Sequence, residues 1–201
     1  DHLPESLKNS ILDFIISGAS KLRNKGTDQF HHTMLIHNHI RTDNHRCVAQ
    51  LVQRFGSVFC SKYKRYRFSR RENEYHTLKE RWESEFLIPP TEEETMDGFV
   101  KSFMSKFRWP NMVKTINSSD DDTDHLFKSD SRLDYSIPGR WYIAVGGTIL
   151  SRGLTVEGLS ISYFTRQSAL YDSLTQMARW CGYHSPEDQK LIRVVTTAAI
   201  L

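Results

Sequence analysis

"WYIAVGGTILSRGLTVEGLSISYF", residues 141–164, holds two strand-like runs, 141–147 and 159–164, joined by a glycine-rich polar loop. The residues after it keep the same rhythm. "SALYDSLTQMARWCG" (168–182) has helical period, and "LIRVVTT" (191–197) reads as a last strand. Strands that alternate with helices favour a parallel sheet with helices packed on it. In such sheets the working residues sit in loops at the carboxyl ends of the strands, and "GGTILSRGLTVEG" (146–158) occupies that kind of position.

Upstream the pattern is consistent with the same class. Residues 4–24 read as an amphipathic helix, with Pro4 in the first turn and Leu7, Ile11, Phe14, Ile15 and Leu22 at helical spacing. "NKGTDQ" breaks it, and "HTMLIHNH" (32–39) is a buried strand. A second helix covers 44–55, with Val48, Leu51, Val52 and Phe55 on one side. From 56 to 140 the periodicity loosens. A charged helix is expected at 71–86, stopped by "IPP", and another at 91–107, opening with Thr91 as N-cap and Glu94 in a capping box. Residues 112–118 suit a strand, and the Asp- and Ser-rich stretch 118–131 a loop. The expectation is therefore one α/β domain over 1–201, three layers deep with a mostly parallel sheet, carrying a helical and irregular insertion at about 56–140.

The chain has 201 residues, enough for one sizeable core, with 38% hydrophobic and 25% charged residues. A net charge of +3 does not by itself imply nucleic acid, but the charge is unevenly placed. "KYKRYRFSRR" (62–71) is strongly basic, whereas 92–94 and 120–124 are acidic. Cys47, Cys60 and Cys181 are an odd number without metal-type spacing, and read as reduced thiols of a cytoplasmic protein. No apolar run is long enough to cross a membrane, and "DHLPESLKNS" is no signal peptide. The abrupt start, and a strand running to the last residue, suggest a fragment of a longer protein.

On the helix expected at 168–182, Leu170, Leu174, Met177 and Cys181 form one stripe. Asp172, Gln176, Arg179 and Tyr183 recur on the opposite side. If the first stripe packs on the sheet, Gln176 and Arg179 face away from the core. Such a face is either solvated or meets another domain across a ligand.

"LPESLKNSILDFIISGASKLR", "HTMLIH", the long stretch from "IAVGGTILSRGLTVEG" to "QMARWCGY", and "LIRVVTT" together resemble the Z1 domain family. That family is associated with superfamily II helicase modules and is often labelled an endonuclease. The fold implied is the second RecA-like lobe of a two-lobe motor, from a microbial defence or restriction-type system. "SRGLT" (151–155) resembles helicase motif V, which touches nucleic acid and nucleotide; this implies nucleotide-site roles for Arg152, Gly153 and Thr155. "QMARWCGYH" (176–184) resembles motif VI. By that resemblance Gln176 and Arg179 face the phosphates, and position 184 is the arginine finger.

Two departures bear on activity. Ala178 stands where family members tend to have glycine, and His184 where they have arginine. Histidine is shorter and mostly neutral at pH 7, so it is a poor substitute for a guanidinium fork on phosphate. The chain also lacks a G-x-x-x-x-G-K-[ST] phosphate loop and an acidic Mg²⁺-binding strand end. ATP and Mg²⁺ are therefore expected only together with a first lobe, in the same chain or a partner, and the chain alone should be inactive. A degenerate lobe that only binds DNA or protein is the alternative that His184 raises.

Three further features carry chemistry. In "HHTMLIHNHIRTDNH" (31–45), His37 and His39 would share a strand face, but no third ligand is evident and no metal site is expected. His37 reads instead as a polar contact near the lobe interface. In "KYKRYRFSRR", the cations Lys62, Lys64, Arg65, Arg67, Arg70 and Arg71 suit DNA phosphates, and Tyr63, Tyr66 and Phe68 suit stacking on unpaired bases. A solvated basic surface explains the run equally well. For a Mg²⁺-dependent nuclease, Glu187, Asp188 and Lys190 with Asp172, or the cluster Asp120, Asp121, Asp122 and Asp124, supply carboxylates without a persuasive spacing.

Overall fold

The computed structural model describes residues 2–37, 42–65, 73–116, 133–146, 156–165 and 185–196. In chain order these form α1 (Glu5–Lys25), β1 (His32–His37), α2 (Thr42–Arg65), α3 (Asn73–Ser84), α4 (Glu93–Lys106) and α5 (Trp109–Met112). Then come β2 (Val113–Ile116), β3 (Trp141–Gly146), β4 (Leu159–Phe164), α6 (Pro186–Gln189) and β5 (Arg193–Thr196).

The strands make one five-stranded sheet in the order β2-β3-β1-β4-β5, and every pairing is parallel. β1 is central, with Leu35 opposite Ala144 of β3 and Ser162 of β4. All residues of β1, β3 and β4 are buried, as a parallel sheet covered on both faces requires. On one face Met34, Ile36, Ile143, Val145, Ile161 and Tyr163 join a core built with α1 to α4. On the other, Leu35, Ile116, Ala144, Val156, Leu159 and Phe164 form a second cluster. This is the expected α/β, RecA-like arrangement.

α1 is buried almost all the way round between Ser10 and Leu22, because α3 and α4 pack on it as well as the sheet. The close approach of α4 depends on Gly18: a Cβ there would lie 2.2 Å from the Phe103 ring. α1 ends at Gly26, whose left-handed φ of 63° lets its N–H reach the Leu22 carbonyl.

The stretch 56–140 contributes to the same core. α2 runs ten residues beyond the expected 55, to Arg65, and buries Phe59, Cys60 and Tyr63 in its added turns. Trp109 covers Gly56 and donates its Nε1–H to Cys60 Sγ at 3.2 Å. β2 is the edge strand beside β3. The capping box at Thr91 does not form. Thr91 lies inside a 3-10 turn, Pro90–Glu92, and α4 starts at Glu93 with no side-chain cap. The Pro89–Pro90 pair sets the entry geometry, while Glu92 binds Arg23 and Glu93 binds Tyr75 and Lys79.

Candidate functional site

Because the sheet is wholly parallel, all five strands end at one edge. Pairing sets Ile116 beside Gly146, Val145 beside Ile36, His37 beside Phe164, and Phe164 beside Thr196. The segment with Arg152, Gly153 and Thr155 leaves from the end of β3, and that with Gln176, Arg179 and His184 from the end of β4. β3 and β4 are the two neighbours of β1. The six residues themselves lie outside the described residues, but both segments are rooted at the same carboxyl edge.

The chain re-enters at the opposite edge. Gly158, at φ 65°, is pressed against β1: a Cβ there would lie 2.1 Å from the His31 carbonyl oxygen. After the second segment, Ser185 Oγ caps α6 by accepting from Asp188 N–H at 3.2 Å. Asp188 in turn pairs with Lys25 Nζ at 3.0 Å, fixing the approach to β5.

The histidines of 31–45 are dispersed to different tasks. His37 is buried at the end of β1, its ring 4.7 Å from that of Phe164. His31 approaches Glu157 at 3.4 Å, on the amino side of β4. His32 stacks on Phe14 with ring centroids 4.3 Å apart. His39 lies outside the described residues. Among the described residues no three His, Cys, Asp or Glu side chains stand close enough to share a metal ion.

A buried polar chain crosses the amino half of the domain. Lys21 Nζ donates to Ser160 Oγ at 2.7 Å, and Ser160 lies 3.0 Å from His32 Nδ1. His32 Nε2 is 2.9 Å from the Phe14 carbonyl, so Nε2 carries the hydrogen, and the Ser160 hydroxyl donates to the Gly158 carbonyl at 3.0 Å. Burial pulls the Lys21 ammonium down to about 8, against the opposing pull of Asp188. Nearby, Arg81 grips Asp13 of α1 with two hydrogen bonds of 2.5 and 2.8 Å. Desolvation nonetheless raises the Asp13 carboxyl above its ordinary value. Neither Lys21 nor Asp13 stands out in the sequence as a candidate residue. Both sit on a helix whose other positions signal only an apolar face.

At the basic run, Lys62, Lys64 and Arg65 close α2 and are exposed, with Lys62 paired to Glu74 at 2.9 Å. Arg67, Arg70 and Arg71 lie outside the described residues, as do Tyr66 and Phe68. The stacking role expected of Tyr63 is overturned. Its ring is fully buried and its hydroxyl donates to Asp97 Oδ1 at 2.9 Å. Helical period explains the reversal, since position 63 follows Val52 and Phe59 on the packing side of α2.

Of the nuclease candidates, Asp188 is 6% exposed and committed to Lys25 and the α6 turn. Glu187 and Lys190 are exposed beside it. Asp172 and the 120–124 cluster lie outside the described residues. No helix among the described residues is long and apolar enough to cross a membrane.

The family model of the Z1 domain matches residues 6–201, and the chain belongs to that family. No curated protein and no solved structure matches it.

Proposed function

We propose that this member of the Z1 domain family is the second RecA-like lobe of a superfamily II-type, ATP-dependent DNA motor, of the kind used in microbial defence or restriction. The observation that carries the proposal is the common root of the two motif-like segments. They leave adjacent neighbours of the central strand at one carboxyl edge, where ligands bind in open parallel sheets. There Arg152, Gly153, Thr155, Gln176 and Arg179 would complete a nucleotide site whose phosphate loop and Mg²⁺ ligands come from a first lobe. ATP with Mg²⁺ would supply the driving phosphoryl transfer, and this chain's part is cationic: Arg179 holds phosphate oxygens. His184 makes turnover slow. The nuclease alternative gains nothing from Asp188, whose carboxylate is already paired within the fold.

The test joins the chain to a first lobe that carries the phosphate loop, and measures DNA-stimulated ATP hydrolysis. Turnover is expected with both lobes, none with this chain alone, and none in the Arg179→Ala protein. DNA-stimulated hydrolysis by this chain alone, or an Arg179→Ala protein as active as its parent, defeats the proposal.

A further inference from the structure

The helix α2 differs from its neighbours in how it handles charge. α1 pairs Lys8 with Glu5, α3 pairs Lys79 with Glu83, and α4 pairs Lys101 with Asp97. Apart from Asp43 in the first turn of α2, residues 42–71 contain no Asp or Glu. Arg46, Arg54, Lys64 and Arg65 are all exposed, and none is in an ion pair among the described residues. At about 100° per residue these four fall, with Ser57 and Ser61 between them, within one sector of about 100°. The packing residues Val52, Phe59 and Tyr63 lie outside that sector. Like charges along one helix face repel one another, and a bound polyanion relieves that cost.

We infer that the exposed face of α2, from Arg46 to Arg65, is a track for the phosphate backbone of duplex DNA. The inference rests on the DNA-motor reading and adds to it the surface that holds the duplex. Two features favour a duplex over a single strand. Binding of unpaired strands uses aromatic faces as stacking platforms, and the aromatic rings of α2 are turned inward: Phe59 and Tyr63 are buried and Phe55 packs against the core. The spacing also suits a groove. At 1.5 Å rise per residue Arg46 and Arg54 stand about 12 Å apart along the axis, and Arg54 and Lys64 about 15 Å. Those separations approach the width of the major groove, about 12 Å, so successive cations can meet phosphates on its two lips. Ser57 and Ser61 leave the face low enough for close approach. The track reads backbone and not sequence.

The experiment titrates a fluorescein-labelled 20-base-pair duplex, and separately one of its strands, with the chain, recording anisotropy from about 50 to 300 mM NaCl. The proteins compared are wild type, the triple variant Arg46→Gln/Arg54→Gln/Lys64→Gln, and Lys101→Gln on α4 as a control for lost surface charge. Wild type should prefer the duplex. The triple variant should lose at least about tenfold in affinity and two to three units of the log–log salt slope, at about 0.9 per phosphate contact. Its unfolding midpoint should match wild type, since all three side chains are exposed, and Lys101→Gln should bind as wild type does. If wild type binds duplex but the triple variant keeps its slope, the track is wrong while the DNA reading stands. Preference for the single strand also overturns the track. No binding by wild type overturns both, and leaves the nucleotide part of the reading to the two-lobe hydrolysis assay.

Discussion

Lys21 and Ser160 meet at 2.7 Å inside the protein, and neither residue is more than 1% exposed. The ammonium is held by one hydroxyl and the more distant charge of Asp188, which does not restore the hydration it gave up. The folded value of about 8 lies below the ordinary 10.5. Between those pH values the unfolded chain keeps a proton that the folded chain has released. Stability from this group therefore rises with pH through the window, and is lost as pH falls through 8. Lys21→Met, of similar length and without charge, should remove this dependence. In urea unfolding, the variant's stability relative to wild type should fall by about 2 kcal/mol between pH 7.5 and pH 9.5. Parallel pH profiles for the two proteins would refute it.

Tyr63 offers a direct choice between core and ligand contact. Tyr63→Phe should cost about 1 kcal/mol, the hydrogen bond to Asp97, and leave DNA affinity unchanged. Tyr63→Ala should cost about 3–5 kcal/mol, as a large ring removed from a packed core does. Unfolding and binding measured on the same samples decide the matter. Weaker DNA binding by Tyr63→Ala protein that is still folded, with the phenylalanine variant unaffected, would reinstate a stacking role.

Two glycines should respond oppositely to alanine. Gly98 is exposed on α4 with open space around its Cβ position, so Gly98→Ala should stabilise by about 0.5–1 kcal/mol. Gly158 combines a left-handed φ of 65° with the His31 carbonyl 2.1 Å from where Cβ would sit. Gly158→Ala should cost at least about 2 kcal/mol and disturb the entry of β4 beside β1. Thermal melts of the two variants should move in opposite directions.

His184 is tested by restoring the residue that the family tends to carry. In the two-lobe protein His184→Arg should raise ATP turnover at least about tenfold, a conservative share of the usual arginine-finger effect. Nucleotide affinity, read by equilibrium binding, should change little, because Arg179 is retained. Brisk hydrolysis by the histidine protein, with no gain from arginine, would remove the proposed role.

The sheet is legible in the sequence because β1, β3 and β4 are written in short apolar runs, and helical period marks α1 and the start of α2. The features that escape such a reading are set by partners distant in sequence. Nothing near Lys21 or Asp13 announces Ser160 or Arg81, so their burial cannot be inferred from α1 alone. Tyr63 reads as a stacking ring because its charged neighbours mask the helical phase that places it with Phe59. Thr91 satisfies a capping pattern, but two prolines and the partners of Glu92 and Glu93 choose a tighter turn. At the carboxyl edge of the sheet, the candidate residues come from family resemblance, and the structure supplies the strand ends from which they depart.

β1 is hydrogen-bonded along its length to β3 on one side and β4 on the other. It therefore works as a shared rib between the roots of the two motif-like segments. A push on one root reaches the other through two backbone ladders in a close-packed interior, which resists gradual deformation. The sheet edge is thus braced as a stiff bar, and in a motor of the kind proposed the compliance of a working stroke would have to lie beyond it.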